Sequence, residues 1–229
     1  MPDPDELLHD AARRSAEKMI AKAEGLRAAL RQQQPAALAL RAGAPFEPIS
    51  PEGARLRISF LGNDFVIPCP AFDVLKAGDG TPASPFVQAL VLSYLHQADG
   101  TRRAHEWISF RELPGGQFYH QAFQGYTGDV LASRLSNDLA AFRRGAEPLA
   151  DARLSAYGDA AYSFRAFPNL YLAVIYWLGD EEFPARASVL FDKAAAHYLP
   201  LDGLAVVGSR LVSLILRGAQ TPAAQTPAA

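Results

Sequence analysis

AYSFRAFPNLYLAVIYWL, residues 161–178, carries the reading that decides the fold. Tyr162 and Phe164 face one way and Ser163 and Arg165 the other, the period of a strand. Pro168-Asn169 is turn chemistry, and the LYLAVIYWL that follows is apolar on both faces. A strand buried on both faces belongs at the centre of a sheet, and a neighbour joined to it by so short a turn runs antiparallel to it. The stretch therefore predicts an antiparallel hairpin with 170–178 as a central strand.

The same strand runs into YWLGDEEFPA, residues 176–185, where Asp180, Glu181 and Glu182 stand in a row ahead of Phe183 and Pro184. Two readings stand. In the structural one, Asp180 or Glu181 caps a helix started by Pro184, and Arg111 pins the loop by pairing with one of the acids. In the functional one, RELPGG and GDEEFPA meet at one edge of the sheet, so that Arg111 and Glu112 join Asp180 and Glu182 beside Trp107 and Trp177. A carboxylate raised by its like-charged neighbours would then bind a cation or act as general acid or base. Further on, SVLF at 188–191 is too short for periodicity to decide between strand and helix, and Asp192 behind it is a cap, an ion-pair partner or a ligand group.

Upstream, EWISF at 106–110 has the aromatic and β-branched content of a strand and leads into LPGG at 113–116, a turn with two glycines. Val130, Leu131, Leu135, Leu139 and Phe142 mark a helix with Asp129 placed to cap it, Arg143 and Arg144 in its last turn and Gly145 at its end. RLRISF at 55–60 alternates strictly and meets Gly62-Asn63, which predicts a hairpin into DFVIP. Ser84 and Pro85 open a helix whose buried stripe is Phe86, Leu90, Val91, Tyr94 and Leu95. Nearer the start, Leu8, Ala12, Met19, Ala23, Leu26 and Leu30 recur at helical spacing, and a short second helix runs from Pro35 to Gly43. Leu204 to Leu216 is a final amphipathic helix. The tail AQTPAAQTPAA is a direct repeat too poor in apolar surface to order itself.

Paired strands broken by helices of unequal length give an α+β domain with a mostly antiparallel sheet flanked by helices. The expected organisation is an N-terminal helix over 1–34, one α+β domain over 35–217 and a disordered tail over 218–229.

The 22 Lys+Arg and 24 Asp+Glu leave a net charge of -2, so no global field draws nucleic acid or an anionic membrane, and neither is expected as a partner. The longest apolar run, 170–178, falls well short of the ~20 residues a membrane helix needs. The acidic start MPDPDELLHD lacks a secretion signal's basic and apolar parts, and the single cysteine of the chain leaves no disulfide framework. The expected compartment is the cytoplasm.

No GxGxxG, GKS/GKT or GxSxG occurs, so neither a phosphate cradle nor a serine nucleophile is indicated. His9, His96, His105, His120 and His197 form no HxH or HxxxH pair, and the acid triplet lacks the alternation of a calcium loop, so no metal is assigned. A single His105, His120 or His197 can serve a haem or a cobalt corrinoid as axial ligand, and Cys69 in Pro-Cys-Pro can offer a thiolate to haem. Their other reading is an ordinary surface histidine and a small buried hydrophobe. The cofactor therefore stays unknown. Trp107, Phe118, Tyr119, Phe123, Tyr126, Tyr162, Phe164 and Trp177 are core or the wall of a flat-ligand pocket.

WISFRELPGGQFY (107–119), GDAAYSF (158–164), LYLAVIYWLGDEEFPA (170–185) and VLFDKAAAHYL (189–199) together resemble a family of uncharacterised domains of anaerobic bacteria and archaea, over roughly residues 35–217. Some of its members are joined to a four-cysteine iron–sulfur module of the corrinoid iron–sulfur type. The resemblance implies anaerobic redox or one-carbon metabolism, while the module and its cysteines are missing from this chain. It supplies no catalytic residue to transfer.

The leading expectation is a non-catalytic ligand-binding or accessory protein, with Trp107, Arg111, Glu112, Trp177, Asp180 and Glu182 around a small molecule. The alternatives are an enzyme using Glu182 or Asp180 as acid/base beside Arg111, and an interaction module that offers its Leu8-Met19-Leu26-Leu30 stripe to a protein partner.

Overall fold

The computed structural model describes the backbone of residues 4–51 and 53–221, and the side chains of 16–51 and 53–221. The chain is a single α+β domain with two antiparallel sheets where the sequence suggests one. Its described backbone gathers into two compact units, one over residues 4–101 and including His197–Leu199, the other holding Arg102–Ala196 and residues 200–221.

The first unit contains α1 (Pro4–Leu30), α2 (Pro35–Ala42), β1 (Phe46–Pro48), β2 (Ala54–Phe60), β3 (Asn63–Cys69), β4 (Leu75–Lys76) and α3 (Pro85–Gln97). Its four strands pair in chain order. The alternation in RLRISF is realised: Leu56, Ile58 and Phe60 are buried while Arg57 and Ser59 are exposed. The hairpin turns one residue earlier than expected, on Leu61-Gly62, because both residues take the positive φ (45° and 78°) that a two-residue turn between twisted strands requires. Ser84 Oγ accepts from the Val87 N–H and caps α3 with Pro85 as its first residue, as read from the sequence. Phe86 departs from the expected stripe and is exposed, since Ala89, Leu90, Val91, Leu92, Tyr94 and Leu95 already bury the faces of α3.

Along α1, Ala23, Arg27 and Leu30 are buried, with Met19 and Leu26 half-buried, and the helix packs on α3. The described part of the interaction stripe thus covers the chain's own core. Leu8 lies outside the described side chains.

The second unit contains β5 (Trp107–Ser109), α4 (His120–Tyr126), α5 (Gly128–Leu135), α6 (Leu139–Ala146), β6 (Ala152–Arg153), β7 (Ala160–Phe167), β8 (Leu170–Trp177), β9 (Arg186–Asp192) and α7 (Leu201–Gln220). Sheet order is β5-β9-β8-β7-β6, every neighbour antiparallel, so β8 is the central strand that its sequence predicts. Leu170, Leu172, Ala173, Val174 and Tyr176 are all sealed from solvent. SVLF is strand, because its backbone is bonded on both sides, to β8 and to β5.

Three expectations fail here for identifiable reasons. The helix read through 130–142 is two helices: Ser136 takes φ 51° and ψ -122°, its carbonyl accepts from the Tyr176 hydroxyl, and Asp138 caps α6 by accepting from the Ala141 N–H at 2.7 Å. Asp129 does not cap α5, because its carboxylate accepts instead from the Gln124 amide at 2.7 Å. Pro184 starts no helix, since the chain from Arg186 is drawn into the sheet. At the C-terminal end α7 continues through Gln220, three residues past the expected boundary, and 222–229, the bulk of the expected tail, lie outside the described residues.

A candidate ligand groove at the end of the central strand

Two loops and a helix meet where β8 ends. Asp180 folds the acid triplet on itself: Oδ1 accepts from the N–H groups of Glu182 (2.9 Å) and Phe183 (2.8 Å), and the Asp180 N–H donates to the Phe183 carbonyl at 2.9 Å. The Phe183 amide, seconded by that of Glu182, holds the Asp180 carboxyl below its ordinary range. Glu181 and Glu182 project as exposed groups. This answers why three acids stand together: the first closes a turn with its own backbone and the other two are solvated.

Gly179, just before the turn, has no room for a side chain. A Cβ there would come within 2.5 Å of the Ala185 nitrogen and 2.6 Å of the Phe183 carbonyl oxygen. Asn137 ties this residue to the break between α5 and α6, accepting from the Gly179 N–H at 2.7 Å and donating to its carbonyl at 3.2 Å. Leu178 is fixed from the other side, its N–H donating to Asp159 at 2.7 Å.

The result is an open groove of about 1050 Å³ between α5 and the β8–β9 loop. Trp177, Leu178, Phe183 and Pro184 form its apolar wall, with Ser133, Ser136 and Asp129 opposite and Arg186 across the strand pair. The Arg186 guanidinium carbon sits 4.7 Å from the centre of the Trp177 ring. Leu178 and Phe183 are 40% and 66% exposed, an uncovered apolar edge beside the tryptophan.

Of the six residues expected to form a site, Trp177 alone lines this groove. Trp107 pairs with Asp192 and Trp177 with Arg186, six residues apart along β9, which puts the two indoles about 20 Å apart at opposite ends of the sheet. Glu112 turns back on its own helical turn, accepting from the Ser109 N–H (2.8 Å) and hydroxyl (2.7 Å), which hold its carboxyl below the ordinary range. Among the described residues neither Arg111, Asp180 nor Glu182 takes part in an ion pair, so the expected meeting of Arg111 with the acids is not made.

Trp107 belongs to a different cluster. Arg103 lies 5.3 Å from its ring centre and 3.9 Å from that of Tyr171, and its Nε faces Asp192 at 3.5 Å. Asp192, 2% exposed, also accepts from the N–H groups of Ala104, His105 and Ala194, which fixes it as a structural cap. The aromatic set divides: Phe123, Tyr162 and Phe164 are core, while Phe118, Tyr119 and Tyr126 are exposed.

Cys69 is buried and burial pushes its thiol up to about 11, the opposite of what a thiolate ligand needs. His197 Nδ1 lies 2.6 Å from Asp99, His120 Nδ1 lies 2.8 Å from the Gln117 carbonyl, and His105 is exposed. Among the described residues no three His, Cys, Asp or Glu side chains gather closely enough to hold a metal ion, and no helix is long and apolar enough to cross a membrane.

Arg186, Asn137, Ser133 and Ser136 escaped the sequence reading. The pairing of Arg186 with Trp177 was within reach had SVLF been read as a strand returning beside 170–177, since register then follows from the loop between them.

Fold and groove together define an α+β domain with an open groove at the end of its central strand. Residues 34–214 match DUF3786, a domain of unknown function, and the chain belongs to that family. No curated protein and no solved structure matches the chain.

Proposed function

We propose that this chain is a non-catalytic protein that holds a small-molecule ligand in the Trp177 groove, acting as an accessory in cytoplasmic anaerobic redox or corrinoid-linked metabolism. The observation that carries the binding half is the groove itself: about 1050 Å³, comparable with known ligand sites, with an apolar wall of Trp177, Leu178, Phe183 and Pro184 set against Asp129, Ser133, Ser136, Asn137 and Arg186. The metabolic half rests on the resemblance of residues 107–119 and 158–199 to domains that in some anaerobes accompany a four-cysteine iron–sulfur module. Cys69 is the single cysteine of the chain and its thiol is raised, which supports a place beside such a module over that of the cluster's bearer.

Acid/base catalysis is less well supported, because Asp180, one of the two carboxylates it would use, is held below the ordinary carboxylate range and a general acid at neutral pH needs the reverse.

The test is native mass spectrometry with an absorption spectrum on protein purified without oxygen, wild type beside Trp177→Ala. Extra mass kept by the wild type and lost by the variant supports the proposal. Bare mass in both, with no thermal stabilisation of the wild type by a panel of organic acids, amines and neutral aromatics, overturns it.

A further inference from the structure

The groove's polar groups are unevenly committed. Asn137 spends both ends of its amide on Gly179, Asp129 Oδ1 accepts from Gln124, and Asp180 is turned onto its own loop. Four donor groups remain, beside the second carboxylate oxygen of Asp129: the Arg186 guanidinium, the indole N–H of Trp177 and the hydroxyls of Ser133 and Ser136. Among the described residues none of these has a hydrogen-bond or ion-pair partner. All four can donate, and Arg186 is the only cation in the lining.

A guanidinium held over an aromatic ring uses its face, while its N–H groups lie in its plane and stay available for a forked acceptor. The apolar edge of Leu178 and Phe183 lies in the same lining, so ring-sized apolar surface and a carboxylate-matched fork are presented together. Asp129 in the lining, with Glu181 and Glu182 exposed on the neighbouring loop, lowers the potential there and weighs against a ligand of multiple negative charge.

Resting on the ligand-binding reading above, we infer that the groove selects a monocarboxylate carried on an apolar, ring-sized body, its carboxylate taken by Arg186 and its body laid against Trp177, Leu178 and Phe183. Arg186 is the specificity-determining residue and the apolar wall supplies contact area.

Three probes of one shape test this: phenylpropanoate, phenylpropanol and phenylpropylamine, an anion, a neutral molecule and a cation. The chain has two tryptophans, so in Trp107→Phe protein the emission reports on Trp177 alone. In the isotope-labelled wild type the Trp177 indole N–H signal gives the same titration without that substitution. The expected result is that phenylpropanoate binds at least about tenfold more tightly than phenylpropanol, and that Arg186→Gln removes this difference while leaving phenylpropanol binding in place. Equal affinity for the three probes, or preference for the amine, overturns the carboxylate inference and leaves the groove as a binding site. No response of Trp177 to any probe overturns the inference together with the reading it rests on.

Discussion

Arg186 and Trp177 face each other across the β8–β9 pair, with the guanidinium carbon 4.7 Å from the ring centre. The contact sits at the open end of the sheet, where the charge stays hydrated, so its worth is that of an exposed cation–π pair, about 0.5–1 kcal/mol. A double-mutant cycle of Trp177→Ala and Arg186→Ala, read from urea midpoints, is expected to return a coupling of that size. A coupling near zero would mean that the guanidinium is not held over the ring, and would remove the preorganisation from which ligand selectivity is argued.

Asp192 poses the opposite case, a charge taken out of water. It is 2% exposed, accepts from three backbone N–H groups and faces Arg103, whose guanidinium also lies over Tyr171. Asp192→Ala leaves those donors unanswered and Arg103 with only its longer contact to Asp151 (3.9 Å), and is expected to cost about 3–5 kcal/mol in chemical denaturation. Asp192→Asn keeps an acceptor oxygen and should cost distinctly less. Equal losses would show that the charge, rather than the hydrogen bonds, carries the stabilisation.

A pH dependence follows from Asp99. Burial pushes its carboxyl up, but hydrogen bonds from His197 and Thr101 outweigh that and hold it at about 2 against an ordinary 3.8. The unfolded chain therefore takes up this proton first as the medium is acidified. The stabilisation is fully present above pH 3.8 and drains away as pH falls toward about 2. Asp99→Asn should flatten this part of the curve of melting temperature against pH. An unchanged acid limb would show that the lowered carboxyl is not coupled to folding.

The parts of the fold legible in the sequence are those set by neighbouring residues. Alternation gave the β7–β8 hairpin, Ser84-Pro85 gave the start of α3, and Gly43, at φ 64°, ends α2 as expected. What escaped was set by partners distant in the chain. Val130 to Phe142 keeps helical periodicity through a break that Tyr176 enforces from the central strand, and positive φ at Ser136 carries no glycine to announce it. SVLF became a strand only through pairing on both edges. The groove was legible at Trp177 but not at Arg186 or Asn137, because their roles follow from register and from a loop clamp. Acids in a row suggested a charged site, yet Asp180 and Glu112 were both absorbed by backbone a few residues away.

Gly179 offers the sharpest test of how the groove is held. Its Cα carries no side chain where the backbone of Phe183, Pro184 and Ala185 returns, and Asn137 binds both its N–H and its carbonyl. A methyl group there has no flexible neighbour to displace, only backbone, so the loop must open to admit it. Gly179→Ala is therefore expected to cost about 1–3 kcal/mol, as other overpacking changes do. It should also release Asn137 and carry Phe183 off the groove. Because β8 is buried beyond this point, the central sheet should persist. The variant should then keep a cooperative unfolding transition while losing the phenylpropanoate response of the Trp177 indole. Retained binding at wild-type affinity would show that the groove does not depend on the 179–185 loop, and would move the ligand contacts onto α5 and the strand pair alone.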